Sequence, residues 1–221
     1  MKASFRLAQD GVYRCDGFQE FFWQTHGFGT RNASPNADVT LRQVHSGRVF
    51  NARGTEDRAE EGDALVTDEI ARSIGVRTAD CVPILLLDAA TRCVGAVHAG
   101  WRGTAARIVE RAIERMRADF GTDAAHIYAA VGPCIRACCY EVGSDIAEQF
   151  EAATRKANAQ GDRCFLNLAE ANLRQMRAAG VMDQRIFDCG LCTACQSAQF
   201  FSYRREPTNP GRMTTSISRL A

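Results

Sequence analysis

Hydrophobic and polar positions along the chain alternate between two rhythms. Residues 84–87 (ILLL) and 93–97 (CVGAV) are short, continuous apolar runs, the pattern of strands buried on both faces. Cys81 opens the first of these segments and the second delivers His98 at its C-terminal end. Residues 39–45 alternate apolar and polar as a half-buried strand does, and residues 47–50 continue it past a bend. Residues 62–68, 126–131 and 184–187 read as further strands, as do 200–203 and 214–217. Residues 1–12 read as an opening strand that turns near Asp10 and Gly11, and the aromatic run at 18–23 leads into His26 and the segment Gly27 to Arg31. After Gly103 the apolar positions Ile108, Val109, Ala112, Ile113, Met116 and Phe120 recur at helical spacing, and Gly121 stands where a C-terminal cap belongs, which predicts one long amphipathic helix. A second helix is expected from Ser144 or Asp145, both good N-caps, to beyond Phe150. A third begins at the capping box of Asn167 and Glu170 and ends at Gly180. Residues 32–38 have pure loop composition, and residues 53–61 read as a charged surface connection. With no repeat and no linker, the pattern describes a single mixed α/β domain over residues 1–221.

Composition narrows the functional class. The chain has 221 residues, enough for one large domain with a buried core. A net charge of +1 gives no electrostatic reason for binding nucleic acid or a membrane surface. No segment reaches the ~18 apolar residues of a membrane span. The first 25 residues hold no continuous hydrophobic region of the secretory kind, so a cytoplasmic location is expected. There the ten cysteines are reduced and serve as core fillers, metal ligands or nucleophiles.

Three residues are candidates for the working centre: His45 in QVHSG, Cys81 in TADC and His98 in VHAGWRG. Zinc accepts imidazole nitrogen and thiolate sulfur, and a catalytic zinc site uses three protein ligands with the fourth position open. Separations of 36 and 17 positions exclude a zinc-finger knuckle and suit ligands brought together by the fold. The plainer reading has Cys81 as a small core residue and each histidine as a satisfied structural one. Asp80, next to Cys81 in the sequence, would point to the opposite face of a strand and orient a neighbour rather than share a metal. The turn Gly100-Trp101-Arg102-Gly103 leads into a helix, whose free N–H groups together with the Arg102 guanidinium form a candidate anion site. The alternative is a tight turn with Arg102 in a surface ion pair. Cys189, Cys192 and Cys195 follow a C-x2-C-x2-C spacing, and Cys134, Cys138 and Cys139 lie together. A second metal site would need a fourth ligand for the first trio, which the second trio can supply but the spacing does not specify.

Together, RQVHSG, RTADCVPILL, VGAVHAGWRG, GPCIRACCYEVG and the terminal CTAC with FFSYRR and GRM resemble the laccase-domain, or polyphenol-oxidase-like, purine nucleoside phosphorylase family. The resemblance runs from Gln43 to Met213 with the motifs in order. It implies a layered α-β-β-α fold with mixed sheets, similar to toxin-type cysteine hydrolases. It also implies a catalytic metal site of His45, Cys81 and His98 holding one zinc ion, with copper as the alternative. The implied activity is phosphorolysis of adenosine, inosine, guanosine and methylthioadenosine, with adenosine deamination as a second reaction. Gln43, Arg102, Arg31 and Arg205 are expected to contact nucleoside or phosphate. The partners are then small molecules, and the chain a monomer or small homo-oligomer. Only residues 32–42 separate Arg31 from Gln43, where relatives usually carry a longer segment, so one wall of the substrate pocket is expected to be missing or supplied by a neighbouring subunit. Two rivals stand beside this reading. One is a metal-free cysteine hydrolase with Cys81 as nucleophile and His98 or His45 as base. The other is a copper polyphenol oxidase, which four histidines in total cannot equip with a full multicopper centre.

Overall fold

The computed structural model describes residues 5–158, 163–208 and 211–221. The N-terminal half runs β1 (Phe5–Leu7), β2 (Tyr13–Cys15), β3 (Gln24–Phe28), β4 (Val49–Asn51), β5 (Ala64–Thr67), β6 (Ser73–Thr78), β7 (Val82–Asp88) and β8 (Val94–Ala99). Helices α1 (Trp101–Ala105) and α2 (Ile108–Phe120) follow, then β9 (Ile127–Val131), β10 (Glu141–Gly143), α3 (Ser144–Ala147), β11 (Arg155–Ala157), β12 (Arg163–Leu166), α4 (Leu168–Ala178), β13 (Ile186–Asp188) and β14 (Met213–Arg219).

Strands β7 and β8 form the middle of a six-stranded mixed sheet ordered β13-β9-β7-β8-β5-β4. Both are buried along their whole length, which is why they read as unbroken apolar runs. Their alternation assigns the two faces: Val82, Ile84, Leu86 and Val97 enter one core cluster, whereas Leu85, Leu87, Val94 and Ala96 enter another. All four helices contribute to the first cluster, including Ile108, Ile113 and Met116 of α2 and Leu168, Leu173 and Met176 of α4. The second cluster lies against a five-stranded antiparallel sheet ordered β1-β2-β3-β14-β6. Each fully buried Leu or Ile in these layers contributes about 1.5–3 kcal/mol of apolar burial. A separate small antiparallel sheet, β10-β12-β11, adds Val142 and Leu166 to the first cluster. The architecture is therefore mixed α+β, with the helices packed on one face of the six-stranded sheet and the five-stranded sheet on its other face.

Several expectations change on contact with tertiary structure. Residues 39–45 form no strand and make only the isolated bridges Val39 to Ile74 and Arg42 to Glu61. Asp57 captures the backbone N–H and the hydroxyl of Thr40, at 2.8 and 2.7 Å, in place of a ladder partner. The long helix expected after Gly103 is α2, capped by Gly121 in the left-handed conformation; the turn expected at Gly100 to Gly103 is instead the start of the short helix α1, which Arg107 at φ +59° separates from α2. The second helix is one turn, α3, and residues 148–150 continue only as hydrogen-bonded turns. Residues 200–203 are not a strand; Ser202 and the backbone N–H of Arg204 bind Asp80 instead. The aromatic run at 18–23 ends a short 3-10 turn and precedes β3. The expected opening strand is β1, a turn at Gly11 and β2, with its first four residues outside the described ones.

Candidate active site

Antiparallel pairing of β7 with β8 sets Val82 opposite Ala99 and Pro83 opposite His98. Cys81, one residue before β7, therefore meets the residues that leave β8, and His45 arrives from the loop before β4. The ligating atoms of His45, Cys81 and His98 all lie within 4.8 Å of one another. The two imidazole rings are 4.9 Å apart between centroids. The sequence thus nominated three residues that the fold brings to one point.

Their closeness has two supports. A Cβ at Gly100 would stand 2.9 Å from His45 Nδ1 and 3.0 Å from Cys81 Sγ, so only glycine fits between these side chains. The other support is Asp63, a residue the sequence analysis assigned only to a strand. Its carboxylate is 0% exposed and sits 2.8 Å from His98 Nδ1. It accepts from the backbone N–H of His45 at 3.0 Å and from the N–H and hydroxyl of Ser46 at 2.5 and 2.7 Å. Asp63 therefore fixes the proton on His98 Nδ1, leaves Nε2 to act as ligand or base, and holds His45 at φ +58°. An acid at the mouth of the apolar run Ala64-Leu65-Val66 was the sequence signal for it.

Electrostatics make this a charged pair in an apolar setting. Burial pushes the Cys81 thiol up, but His98 and His45 outweigh it and bring the thiol well below its ordinary value. Burial pulls His98 down, yet the Cys81 thiolate and the Asp63 carboxylate raise its imidazole above the usual range. Asp63 is held below the ordinary carboxylate range by His98 and Ser46 against the opposing effect of burial. Two imidazoles and one thiolate, with an outer carboxylate already in position, are a donor set that fits zinc with one position open; the same donors also suit copper.

These residues floor a cavity of about 860 Å³, within the range of small-molecule sites. Gln43, Arg102, Trp101, Tyr140 and Tyr203 share its wall, as does Arg58 from the charged loop. Arg102 stacks its guanidinium 4.3 Å over the Trp101 ring. Gln43 brackets the backbone of Arg77, donating to its carbonyl at 2.8 Å and accepting its N–H at 2.7 Å, so its amide first of all shapes the wall. The helix that follows Gly100 is the five-residue α1, whose short dipole adds little to the charge that the Arg102 guanidinium places in the wall. Asp80 acts as expected of a positioning residue: it accepts from Thr193 and Ser202 hydroxyls at 2.6 and 3.0 Å and from the Arg204 N–H at 2.7 Å. It has φ +86° and belongs to a bend, not to a strand.

Two expected phosphate contacts lie elsewhere. Arg31 is not in the cavity lining; it donates to the Ser197 carbonyl and packs over Phe201. Arg205 is also outside the lining, with its guanidinium given to Glu206 and to the carbonyls of Thr193, Ala194 and Phe200. Both arginines brace the C-terminal segment. Sequence reasoning missed Tyr140, Tyr203 and Arg58 in the wall, because loops far apart in the chain deliver them.

The family model described as "Multi-copper polyphenol oxidoreductase laccase" matches residues 28–220. A protein of Deinococcus radiodurans named purine nucleoside phosphorylase is 42% identical over 179 residues, covering 80% of this chain and 68% of that protein. A protein from an unknown prokaryotic organism, named adenosine deaminase RL5, is 40% identical over 197 residues, covering 82% of this chain and 74% of its own length. The crystal structure of YlmD from Geobacillus stearothermophilus superposes with a TM-score of 0.88 at 27% identity, over 99% of this chain and 100% of that one. No helix among the described residues is long and apolar enough to cross a membrane.

Proposed function

The chain belongs to the multi-copper polyphenol oxidoreductase laccase family, and from that premise we propose that it is a metal-dependent purine nucleoside phosphorylase. The observation that carries this reading is the convergence of His45, Cys81 and His98 with Arg102 in one cavity. The name of the Deinococcus radiodurans relative supports the same class of reaction. Adenosine, inosine, guanosine and methylthioadenosine are the proposed substrates.

In the reaction a phosphate oxygen bonds to ribose C1′ while the bond from C1′ to the purine nitrogen breaks. The products are the free base and the sugar 1-phosphate. Arg102 is the proposed phosphate anchor, since a guanidinium offers paired donors to phosphate oxygens and its stacking on Trp101 restricts where it can point. Trp101, Tyr140 and Tyr203 offer flat apolar faces for the purine. His45, Cys81 and His98 would hold one zinc ion, which supplies a Lewis acid to neutralise charge on phosphate or polarise a substrate oxygen. Asp63 keeps His98 in the tautomer that such binding needs. Adenosine deamination is proposed as a second activity of the same cavity, supported by the relative named adenosine deaminase RL5.

The test is an assay on protein of known zinc and copper content. Adenosine and inosine should lose their base only with phosphate present; removing the metal should abolish this and returning zinc should restore it. Base release that ignores phosphate, or survives complete metal removal, overturns the reading.

A second reading has one observation in its favour. The depressed Cys81 thiol beside a raised His98 is also the pairing of a cysteine nucleophile with its base. Activity that resists chelation but is lost on alkylation of Cys81 would favour that hydrolase. An oxidase with a full multicopper centre fits poorly, since His26 is buried in hydrogen bonds to Cys15 and Gln24 and only two histidines reach the cavity wall.

A further inference from the structure

Ten cysteines are more than the active site uses, and the fold sorts them. Cys15, Cys93 and Cys134 are buried core residues, and Cys189 lies beside Arg136. Four others gather at one place: the ligating sulfurs of Cys138, Cys139, Cys192 and Cys195 all lie within 4.8 Å of one another. Cys139 Sγ is 3.3 Å and Cys138 Sγ 3.6 Å from Cys195 Sγ. The sequence trio of Cys189, Cys192 and Cys195 is therefore not the set; Cys189 is replaced by the neighbours Cys138 and Cys139, from a loop that lies much earlier in the chain.

We infer that Cys138, Cys139, Cys192 and Cys195 bind a second, structural zinc ion as a tetrathiolate site. Zn–S bonds of about 2.3 Å put the sulfurs of a regular tetrahedron about 3.8 Å apart, close to the separations found here. An iron–sulfur cluster distributes its thiolates over several irons and needs a wider span than 4.8 Å. The backbone supplies the outer contacts of a metal–thiolate site: the N–H groups of Arg136 and Cys195 donate to Cys192 Sγ. The Cys-x2-Cys arm of Cys192 and Cys195 folds back so that its second cysteine amide meets the sulfur of the first.

The location gives the ion a purpose. Between β13 and β14 the described residues form turns and no helix or strand, a length of chain that needs fastening. The ion would tie this segment to the loop after β9. An isolated parallel β-bridge pairs the backbones at Cys134 and Cys192 alongside, and the Thr193 N–H donates to the Cys134 carbonyl at 3.1 Å. Thr193, between the two cysteine ligands, donates its hydroxyl to Asp80 at 2.6 Å, directly beside Cys81. Tyr203 and Arg204 of the cavity wall follow in the same segment. A metal clamp here fixes the wall of the active-site cavity without entering it.

The test uses the full chain, purified with a thiol reductant, loaded with zinc and freed of excess metal. Wild type should hold about two zinc ions per chain and Cys81→Ala about one, since removing an active-site ligand leaves the four-cysteine site intact. The double variant C138S/C195S should also hold about one, keep the ion of the active site, and lose protection against proteolysis in residues 189–208. Cobalt provides a second readout: C138S/C195S should lose roughly four fifths of the thiolate-to-metal absorption, the share of four sulfurs in five. If the double variant is insoluble, Cys81→Ala alone still decides. Zinc-free Cys81→Ala after reconstitution, a Cys139–Cys195 disulfide in the reduced preparation, or rapid alkylation of Cys138 and Cys195 in zinc-loaded protein would each overturn the site. Because the reading is of metal content, its failure is separable from failure of the phosphorylase assignment.

Discussion

Replacing Asp63 by Asn is the most informative change to the active site, since it removes a charge and one acceptor while preserving shape. The carboxylate makes four polar contacts in complete burial, two on each oxygen: His98 Nδ1 and the His45 N–H on one, the Ser46 N–H and hydroxyl on the other. An amide can present oxygen to only one of these pairs. With its NH2 toward Ser46, two N–H groups face each other, and an unsatisfied buried donor costs about 1–3 kcal/mol. With its NH2 toward His98, the imidazole must move its proton to Nε2 and ceases to be a ligand. Either arrangement weakens metal binding, because loss of an outer-shell partner of a metal-binding histidine costs about 10–100-fold in affinity, or about 1.4–2.7 kcal/mol. Zinc competition against a chromogenic chelator measures this, and denaturant melts with saturating zinc separate it from unfolding. A folded Asp63→Asn protein that binds zinc within about twofold of wild type would refute the role given to Asp63.

Gly100→Ala should abolish zinc binding at the active site while leaving a folded protein, because the new methyl would lie between His45 and Cys81; an unchanged zinc affinity would contradict this packing. Arg102→Ala should raise KM for phosphate by about tenfold or more, the order of a lost charged hydrogen bond of 1.5–3 kcal/mol, with zinc content unaltered. Stability should fall in acid through His26, whose imidazole is pushed down to about 3 by burial and then by Arg14 and Arg6. The sign follows from proton uptake: below its ordinary pKa of about 6.5 the unfolded chain binds a proton that the folded one refuses. Stability is unaffected by this group above pH 6.5 and declines by about 1.4 kcal/mol per pH unit below it. Urea melts of wild type and His26→Gln between pH 7 and 5 should differ in slope by one proton, and parallel slopes would refute the assignment.

Much of the fold was legible because burial on two faces leaves a plain trace. Strands β7 and β8 could be read as apolar runs, and α2 as a helical stripe ending at Gly121, since their environments are uniform along the element. Residues 39–45 misled because alternation describes a half-buried extended chain whether or not a neighbour completes the ladder, and here Asp57 takes the donor. The break at Arg107 had no signal, as left-handed backbone at a non-glycine residue is imposed from outside. His45, Cys81 and His98 were legible from residue type at the ends of apolar runs. Asp63 was legible only as an acid at the mouth of an apolar run, because nothing in the order Gly-Asp-Ala-Leu tells which imidazole the carboxylate will meet. Arg31 and Arg205 show the converse: arginine is a plausible phosphate ligand anywhere, and here backbone carbonyls claim both.

The central claim is that inorganic phosphate, held by Arg102 beside the His45, Cys81 and His98 centre, attacks the sugar carbon of a purine nucleoside. Incubating zinc-loaded protein and adenosine with phosphate carrying heavy oxygen, then weighing the sugar product, tests this most directly. The account predicts a pentose 1-phosphate that retains every labelled oxygen, including the one bridging to carbon, and no such product from Cys81→Ala. Unlabelled free ribose, or inosine with its sugar still attached as the sole product, would contradict it.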